Sequence, residues 1–272
     1  MKRKFIAITV LLCALGCLCS CTQKDVTPTS APTAQQTTEA PKKTLTADEV
    51  VALIHDKFDT EKENCRFEEI SSGTSVTVYE DGTSEKENTG KTRTAFKKEN
   101  GKISFRLDVE SDSDGQPFNI IQAYQSGWAK ALEYSTYGGY SGVSFEDLSA
   151  YWGAQCTILD DYSSCEITND GENTVYTFSF EDSESGLEIN EPDDGSVFQS
   201  KTKESQMKKV VVLDKDNMPI YYIASGVTEG NYGGKKQTTT YSTRFDWSFE
   251  NVEIDFSDLS DYLYLATGEK KQ

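Results

Sequence analysis

Ile103-Ser104-Phe105-Arg106-Leu107-Asp108-Val109-Glu110 decides how this chain folds, because apolar and polar side chains alternate along it without a break. Successive side chains of a β-strand point to opposite faces of the sheet. A period of two therefore predicts a strand with Ile103, Phe105, Leu107 and Val109 buried and the residues between them wet. Just before it, Asn100-Gly101 pairs a small polar residue with glycine, the combination that supplies the positive φ of a tight hairpin turn. Asp81-Gly82, Ser126-Gly127 and Asp170-Gly171 repeat that punctuation. Short turns between alternating runs imply antiparallel neighbours rather than crossovers.

The same pattern extends in both directions. Val76 and Val78 alternate with Ser75, Thr77 and Tyr79; Tyr176, Phe178 and Phe180 share one parity; Val210 to Leu213 and Ile220 to Ile223 are more continuous apolar runs. A last long strand begins near Thr238. In it Tyr241, Thr243, Phe245, Trp247 and Phe249 share one parity and Val252, Ile254 and Phe256 the other, so a bulge is expected near Glu250-Asn251. The excursion from Phe180 to Met207, containing Glu191-Pro192-Asp193-Asp194-Gly195, reads as a surface loop, and Tyr134 to Gly142 reads as a flexible, tyrosine-rich one. Two helices interrupt the strands. Thr46-Ala47-Asp48-Glu49 has the spacing of a reciprocal cap and is followed by Val50, Ile54 and Phe58 at every fourth position, with an end near Thr60-Glu61. A second helix is expected from Ser144 to Gly153, with Phe145, Leu148 and Trp152 facing inward. The fold class is α+β, mainly antiparallel β.

Three segments divide the chain. Residues 1–20 carry Lys2, Arg3 and Lys4, then 14 apolar or small residues from Phe5 to Leu18. That core is short for a bilayer span and typical of an export signal. Leu18-Cys19-Ser20-Cys21 resembles the lipobox of bacterial lipoproteins. The resemblance implies acylation of Cys21, cleavage before it, and a membrane anchor on the extracytoplasmic face. Residues 21–43 form a Thr-, Pro- and Gln-rich tether with almost nothing large and apolar after Val26, so it cannot recover the entropy of ordering. As a coil it spans about 25 Å. Residues 44–272 are one globular domain.

Charge and residue inventory narrow the function. Without the three basic residues of the leader, 24 Lys and Arg stand against 45 Asp and Glu, a net charge of −21. Nucleic acid and anionic headgroups are repelled by such a surface, which leaves the acyl group as the attachment to membrane. Past Cys21 three cysteines remain: Cys65, Cys156 and Cys165. Export permits a disulfide; three pairings are open, and Cys156 with Cys165 is the local one. The single histidine, His55, stands on the first helix. No Gly-x-Ser-x-Gly elbow accompanies it, and one His with scattered cysteines has no metal-ligand spacing. Glu110 to Gly115 begins like a calcium loop but puts Ile121 where the twelfth-position Glu belongs. Neither catalytic residues nor a metal or other cofactor is expected.

Helix, a run of strands, helix and more strands behind a lipid anchor resembles the lipoprotein-carrier family that includes LolA, LolB and the mycobacterial LppX and LprG type. The resemblance rests on the punctuated short strands, on Tyr124-Gln125-Ser126-Gly127-Trp128, on the hairpin from Val212 to Ile220, and on Phe256-Ser257-Asp258-Leu259-Ser260-Asp261-Tyr262. It implies a strongly curved half-barrel cupping one or two helices over an apolar cavity that accepts acyl chains, and a non-enzymatic binder or carrier of lipid or another hydrophobic ligand. Phe105, Trp152, Phe178, Phe245 and Trp247 are the candidates to line such a cavity, with Tyr137 and Tyr140 near its mouth. The same rings would serve equally as ordinary core. A different class of function is a surface recognition module in which Tyr134, Tyr137 and Tyr140 contact a protein or a carbohydrate.

Overall fold

A computed structural model describes residues 43–113, 116–145, 158–190, 197–232 and 235–269. Helix α1 runs Ala47–Phe58, and the expected cap is present in both directions: the Glu49 amide donates to Thr46 Oγ1 at 3.3 Å and the Thr46 amide to Glu49 Oε2 at 2.8 Å. Two of the four orphan donors of the first turn are thereby satisfied. Val50, Ile54 and Phe58 are its buried residues, as the four-residue spacing requires. The helix stops at Phe58, slightly short of Thr60-Glu61, because Asp59 turns extended.

Among the described residues twelve strands follow: β1 (Arg66–Tyr79), β2 (Ser84–Glu99), β3 (Lys102–Ser113), β4 (Gln116–Gln125), β5 (Ala131–Ser135), β6 (Gly139–Val143), β7 (Ser164–Asp170), β8 (Asn173–Ser179), β9 (Ser183–Asn190), β10 (Val197–Leu213), β11 (Pro219–Tyr232) and β12 (Lys235–Ser248). They form one sheet in the order β6-β5-β4-β3-β2-β1-β12-β11-β10-β8-β7, with β9 beside the first half of β10. Every ladder is antiparallel. Two meanders, β1 to β6 and β7 to β12, are thus sewn together by the pairing of β1 with β12. The sheet is open, with β6 and β7 at its two ends. Asn100 and Gly101 make the β2–β3 turn with φ of 53° and 72°, the left-handed pair that the sequence announces.

Each face of the sheet has its own cover. On the front, α1 packs over Phe67, Phe96, Phe105, Tyr176, Phe178, Val211, Leu213 and Trp247 in the larger core. On the back, the chain after β12 runs without regular structure to a 3-10 turn, Ser257–Tyr262, and a single-turn helix α2, Tyr264–Thr267. There Leu259 and Ala266 meet Ala123 and Leu132 in a smaller core. This second layer corrects two expectations. The back face of β3 is not wet: the Arg106 side chain is only 12 % exposed. The parity change after Phe249 is not a bulge within a strand. Strand β12 ends at Ser248, Asn251 takes φ of 53°, and the chain passes to the back of the sheet, where Val252 and Leu259 are buried.

Two loops of the sequence reading are hairpins. Residues 183–190 and 197–213 pair as β9 and β10, although the tip with Glu191 to Gly195 lies outside the described residues. Tyr134 to Gly142 is the β5–β6 hairpin, with Tyr134 opposite Tyr140. The second expected helix lies outside the described residues beyond Phe145.

Gly142 marks where α2 docks. A Cβ built there would stand 2.6 Å from the Leu265 carbonyl oxygen, and the neighbouring Lys130 amide donates to the Ala266 carbonyl at 3.0 Å. Backbone cannot swing aside as a flexible side chain can. Gly142→Ala is expected to lift α2 from β6 and to cost about 1–3 kcal/mol, the range of overpacking substitutions; chemical denaturation measures it, and an unchanged midpoint would contradict this docking.

Candidate functional site

The densest chemistry stands where α1 meets the middle strands. Phe58, the last residue of α1, brings its ring 4.8 Å from Phe67, 5.3 Å from Trp247 and 5.4 Å from Phe249, edge-on to the last two. Tyr222 of β11 stacks between Phe245 at 4.7 Å and Trp247 at 5.4 Å. These rings meet because β1, β12 and β11 are adjacent and in register: Glu69 faces Trp247, Ser71 faces Phe245, and Phe245 faces Tyr222.

Inside this aromatic wall lies a carboxyl. Glu69 is only 4 % exposed, and its Oε2 accepts from Trp247 Nε1 at 2.8 Å. Burial pushes its pKa up to about 7, against the smaller opposing pull of the Trp247 bond. Burial, and then the proximity of Glu69, raises the Tyr222 phenol well above its ordinary range. The sequence reading missed Glu69. Its signal was present, since Glu69 shares parity with Phe67 whereas Glu68 points to the back and pairs with Arg93 at 2.5 Å.

Toward the far end of the strands the front face changes character. Ser71, Gly73 and Ser75 follow Glu69 on β1, beside Thr243 and Tyr241 on β12 and Ala224 and Gly226 on β11. Ser75 and Thr243, diagonal neighbours, are 1 % and 2 % exposed, and neither hydroxyl has a hydrogen-bond partner among the described residues. Gly226 admits the Tyr241 ring: a Cβ there would come 2.9 Å from the phenol oxygen. On β10, Lys209 donates to the Ile158 carbonyl and lies 4.3 Å over the Phe180 ring, and burial lowers its pKa.

Among the candidate lining residues, Phe105, Phe178 and Trp247 are buried in the front core and Phe245 is half-buried against it. They form a packed wall. Trp152 lies outside the described residues. Tyr140 stacks on Tyr262 at 3.6 Å and Tyr134 at 4.6 Å, which ties the β5–β6 hairpin to the C-terminal turn. Tyr137, at the hairpin tip, is 70 % exposed and rests on Phe118 at 5.6 Å. Cys65 and Cys165 have no disulfide partner among the described residues; Cys156, the expected partner of Cys165, lies outside them. Burial pushes the Cys65 thiol up to about 11, which makes it a poor nucleophile at neutral pH. His55 Nε2 lies 2.8 Å from Asp160 Oδ1 on the surface.

Two concavities open elsewhere. An open groove of about 840 Å³ crosses the far end of β1 and β9 to β12, lined by Val78, Glu184, Lys203, Glu229, Lys236 and Thr238 among others. A smaller one of about 280 Å³ lies beside Lys62, Cys65 and Phe249. None of the candidate aromatics among the described residues lines either. Among the described residues no helix is long and apolar enough to cross a membrane.

No protein-family model matches the chain, and no curated protein matches it. Among solved structures, the ywiB protein from Bacillus subtilis aligns with 67 % of this chain and 92 % of its own, at 11 % identity and a TM-score of 0.23. A likeness that slight assigns neither fold nor function.

Proposed function

We propose that this chain is an exported lipoprotein, anchored through acylated Cys21 at the extracytoplasmic face of the cell membrane, whose sheet is a curved half-barrel of the lipoprotein-carrier type. Its domain binds a lipid or other hydrophobic ligand without transforming it. The anchor rests on the leader and on Leu18-Cys19-Ser20-Cys21. The binding role is carried by one observation: on the front face an aromatic wall adjoins a floor of small side chains, where the Ser75 and Thr243 hydroxyls are buried with no hydrogen-bond partner among the described residues. Buried hydroxyls are ordinarily satisfied, and a ligand headgroup would satisfy these. The aromatic wall would meet the apolar part of the same ligand.

Wild-type protein is expected in the pelleted envelope and Cys21→Ala in the soluble fraction. Envelope retention of the variant would overturn the anchor. Native mass spectrometry of protein purified from a bacterial host is expected to show a retained lipid; bare protein alone would overturn the ligand class. Tyr137 favours a second reading, a surface recognition module on the β5–β6 hairpin, since a ring so exposed and backed by Phe118 is placed to stack on a partner. Loss of partner capture in Tyr137→Ala, with no lipid bound to wild type, would support it.

A further inference from the structure

We propose that β7 pairs with the β7 of a second copy of this chain, antiparallel about a two-fold axis at Ile167, so that two sheets become one. The inference goes beyond the ligand-binding reading and requires neither a ligand nor a lipid on Cys21. It starts from the contrast between the two ends of the sheet. At β6 the backbone of α2 is docked, with the Leu265 carbonyl against Gly142. At β7 no such cover stands among the described residues: the strand pairs with β8 alone, and Glu166 to Asp170 are all exposed. Proteins ordinarily guard an open edge with lysine, proline or a bulge. Ser164-Cys165-Glu166-Ile167-Thr168-Asn169-Asp170 has neither lysine nor proline, and its register with β8 is unbroken. Ile167 lies opposite the fully buried Tyr176 yet is itself 42 % exposed, so the front core runs out there uncovered.

The turn fixes which backbone groups the edge offers. Asp170 faces Asn173 across a tight turn whose Gly171 has φ of 61°, and such a turn is closed by a pair that exchanges both hydrogen bonds. Bonded and unbonded pairs alternate along an antiparallel ladder. Asp170, Thr168, Glu166 and Ser164 therefore spend their N–H and C=O groups on β8, while those of Cys165, Ile167 and Asn169 point outward. An axis at Ile167 satisfies them all. Ile167 exchanges both bonds with its copy, and Cys165 exchanges both with the copy's Asn169.

Charge selects the same register. Glu166 then faces the copy's Thr168, and Asp170 faces Ser164, so neither acid of the strand opposes another. An axis at Glu166 would set that carboxylate against its own copy, and one at Thr168 would set Glu166 against Asp170; like charges directly opposite destabilise a ladder. An axis at Cys165 or Asn169 would leave most of the strand unpaired. The copy also covers what β7 leaves open, because Ile167 meets Ile167 on the front face. With 7 residues a side the interface is small, and the association is reversible and concentration-dependent.

Cysteine cross-linking of the purified full chain reads the register. A mixture of Glu166→Cys and Thr168→Cys chains, treated with a mild thiol oxidant, is expected to run as a covalent dimer on a non-reducing gel. Either variant alone, and wild type with its native cysteines, should not. Adding Ile167→Pro to both chains should abolish the cross-link, since it removes an N–H that β8 does not use. In sedimentation velocity without oxidant, Thr168→Glu should weaken dimerisation by about 2- to 30-fold, because it opposes Glu166 on both sides of the axis, and Thr168→Lys should strengthen it by a similar factor. The proposal is overturned if the mixture gives no cross-link, which would leave the edge to a foreign strand. It is overturned equally if each variant cross-links as readily alone as in the mixture, or if Thr168→Glu and Thr168→Lys shift the association alike. Should Ile167→Pro fail to fold, the opposed effects of the two Thr168 variants decide.

Discussion

Phe58→Ala is expected to lower the unfolding free energy by about 3–5 kcal/mol, the cost of truncating a fully enclosed phenylalanine. Phe58 is 1 % exposed and touches three other rings, each a contact worth about 0.5–1.5 kcal/mol beyond burial of area. The upper half of the range applies because the site cannot collapse. Phe67 and Trp247 are fixed by strands that pair on both sides, so the rings that lined Phe58 stay where they are and a cavity remains. Val50 and Ile54 hold the rest of the helix, so the protein should still fold and the loss should appear as a lower denaturation midpoint at an unchanged slope. A loss below about 1 kcal/mol would mean that α1 is not seated on this wall.

The front half of this architecture was legible because burial imposes a period on sequence. Thr46, Glu49, Val50, Ile54 and Phe58 specify α1 by themselves, and Asn100-Gly101 specifies its hairpin, since few other dipeptides accept two consecutive positive φ values. The β9–β10 hairpin was illegible for the complementary reason. Ser183 to Ser185 and Thr202 to Ser205 carry no apolar parity, and none of them is buried, so nothing there imposes one. A period of two appears only where something covers the strand.

The back face shows a subtler failure. The alternation of Ile103 to Glu110 was read as one dry side and one wet side, yet Arg106 and Asp108 are covered by the chain after β12. That cover engages Arg106 through hydrogen bonds, and Arg106 in turn holds Asp108, so the covered face keeps polar letters. Likewise the change of parity between Phe249 and Val252 was a true signal with a different cause. A bulge and a departure to the opposite face both exchange which residues are buried, and only the left-handed Asn251 separates them. Glu69 was hidden in the same manner, as one of two adjacent glutamates that differ only in parity.

Arg106→Met is expected to cost about 2–3 kcal/mol and to free the chain after β12 from the back of the sheet. Arg106 spends its whole guanidinium there: Nη1 donates to the Asp255 carbonyl at 2.7 Å and to Asp258 Oδ1 at 2.6 Å, Nη2 to Asp258 Oδ2 at 2.9 Å, and Nε to Asp108 Oδ2 at 2.9 Å. An exposed ion pair would be worth under about 1 kcal/mol, but at 12 % exposure Arg106 cannot be replaced by water without leaving Asp108 half-enclosed. The enclosed limit of about 3–5 kcal/mol is not reached, because Asp258 remains 52 % exposed. Arg106→Lys should recover little, since an ammonium cannot bridge two carboxylates and a carbonyl in one plane. Acid should mimic the substitution. The Arg106 bond holds Asp258 below its usual 3.8, so the stability it lends is present above that pH and is lost as the pH falls through the lower folded value. Proteolysis within residues 249–267 should therefore be fast for Arg106→Met at pH 7 and for wild type only in strong acid. Arg93, which donates to the Glu253 carbonyl at 3.2 Å, keeps a second hold on the same segment, so the release should leave the front core and α1 intact. Equal stability of Arg106→Met and wild type at pH 7 would show that the apolar contacts of Leu259 and Ala266 alone secure this layer.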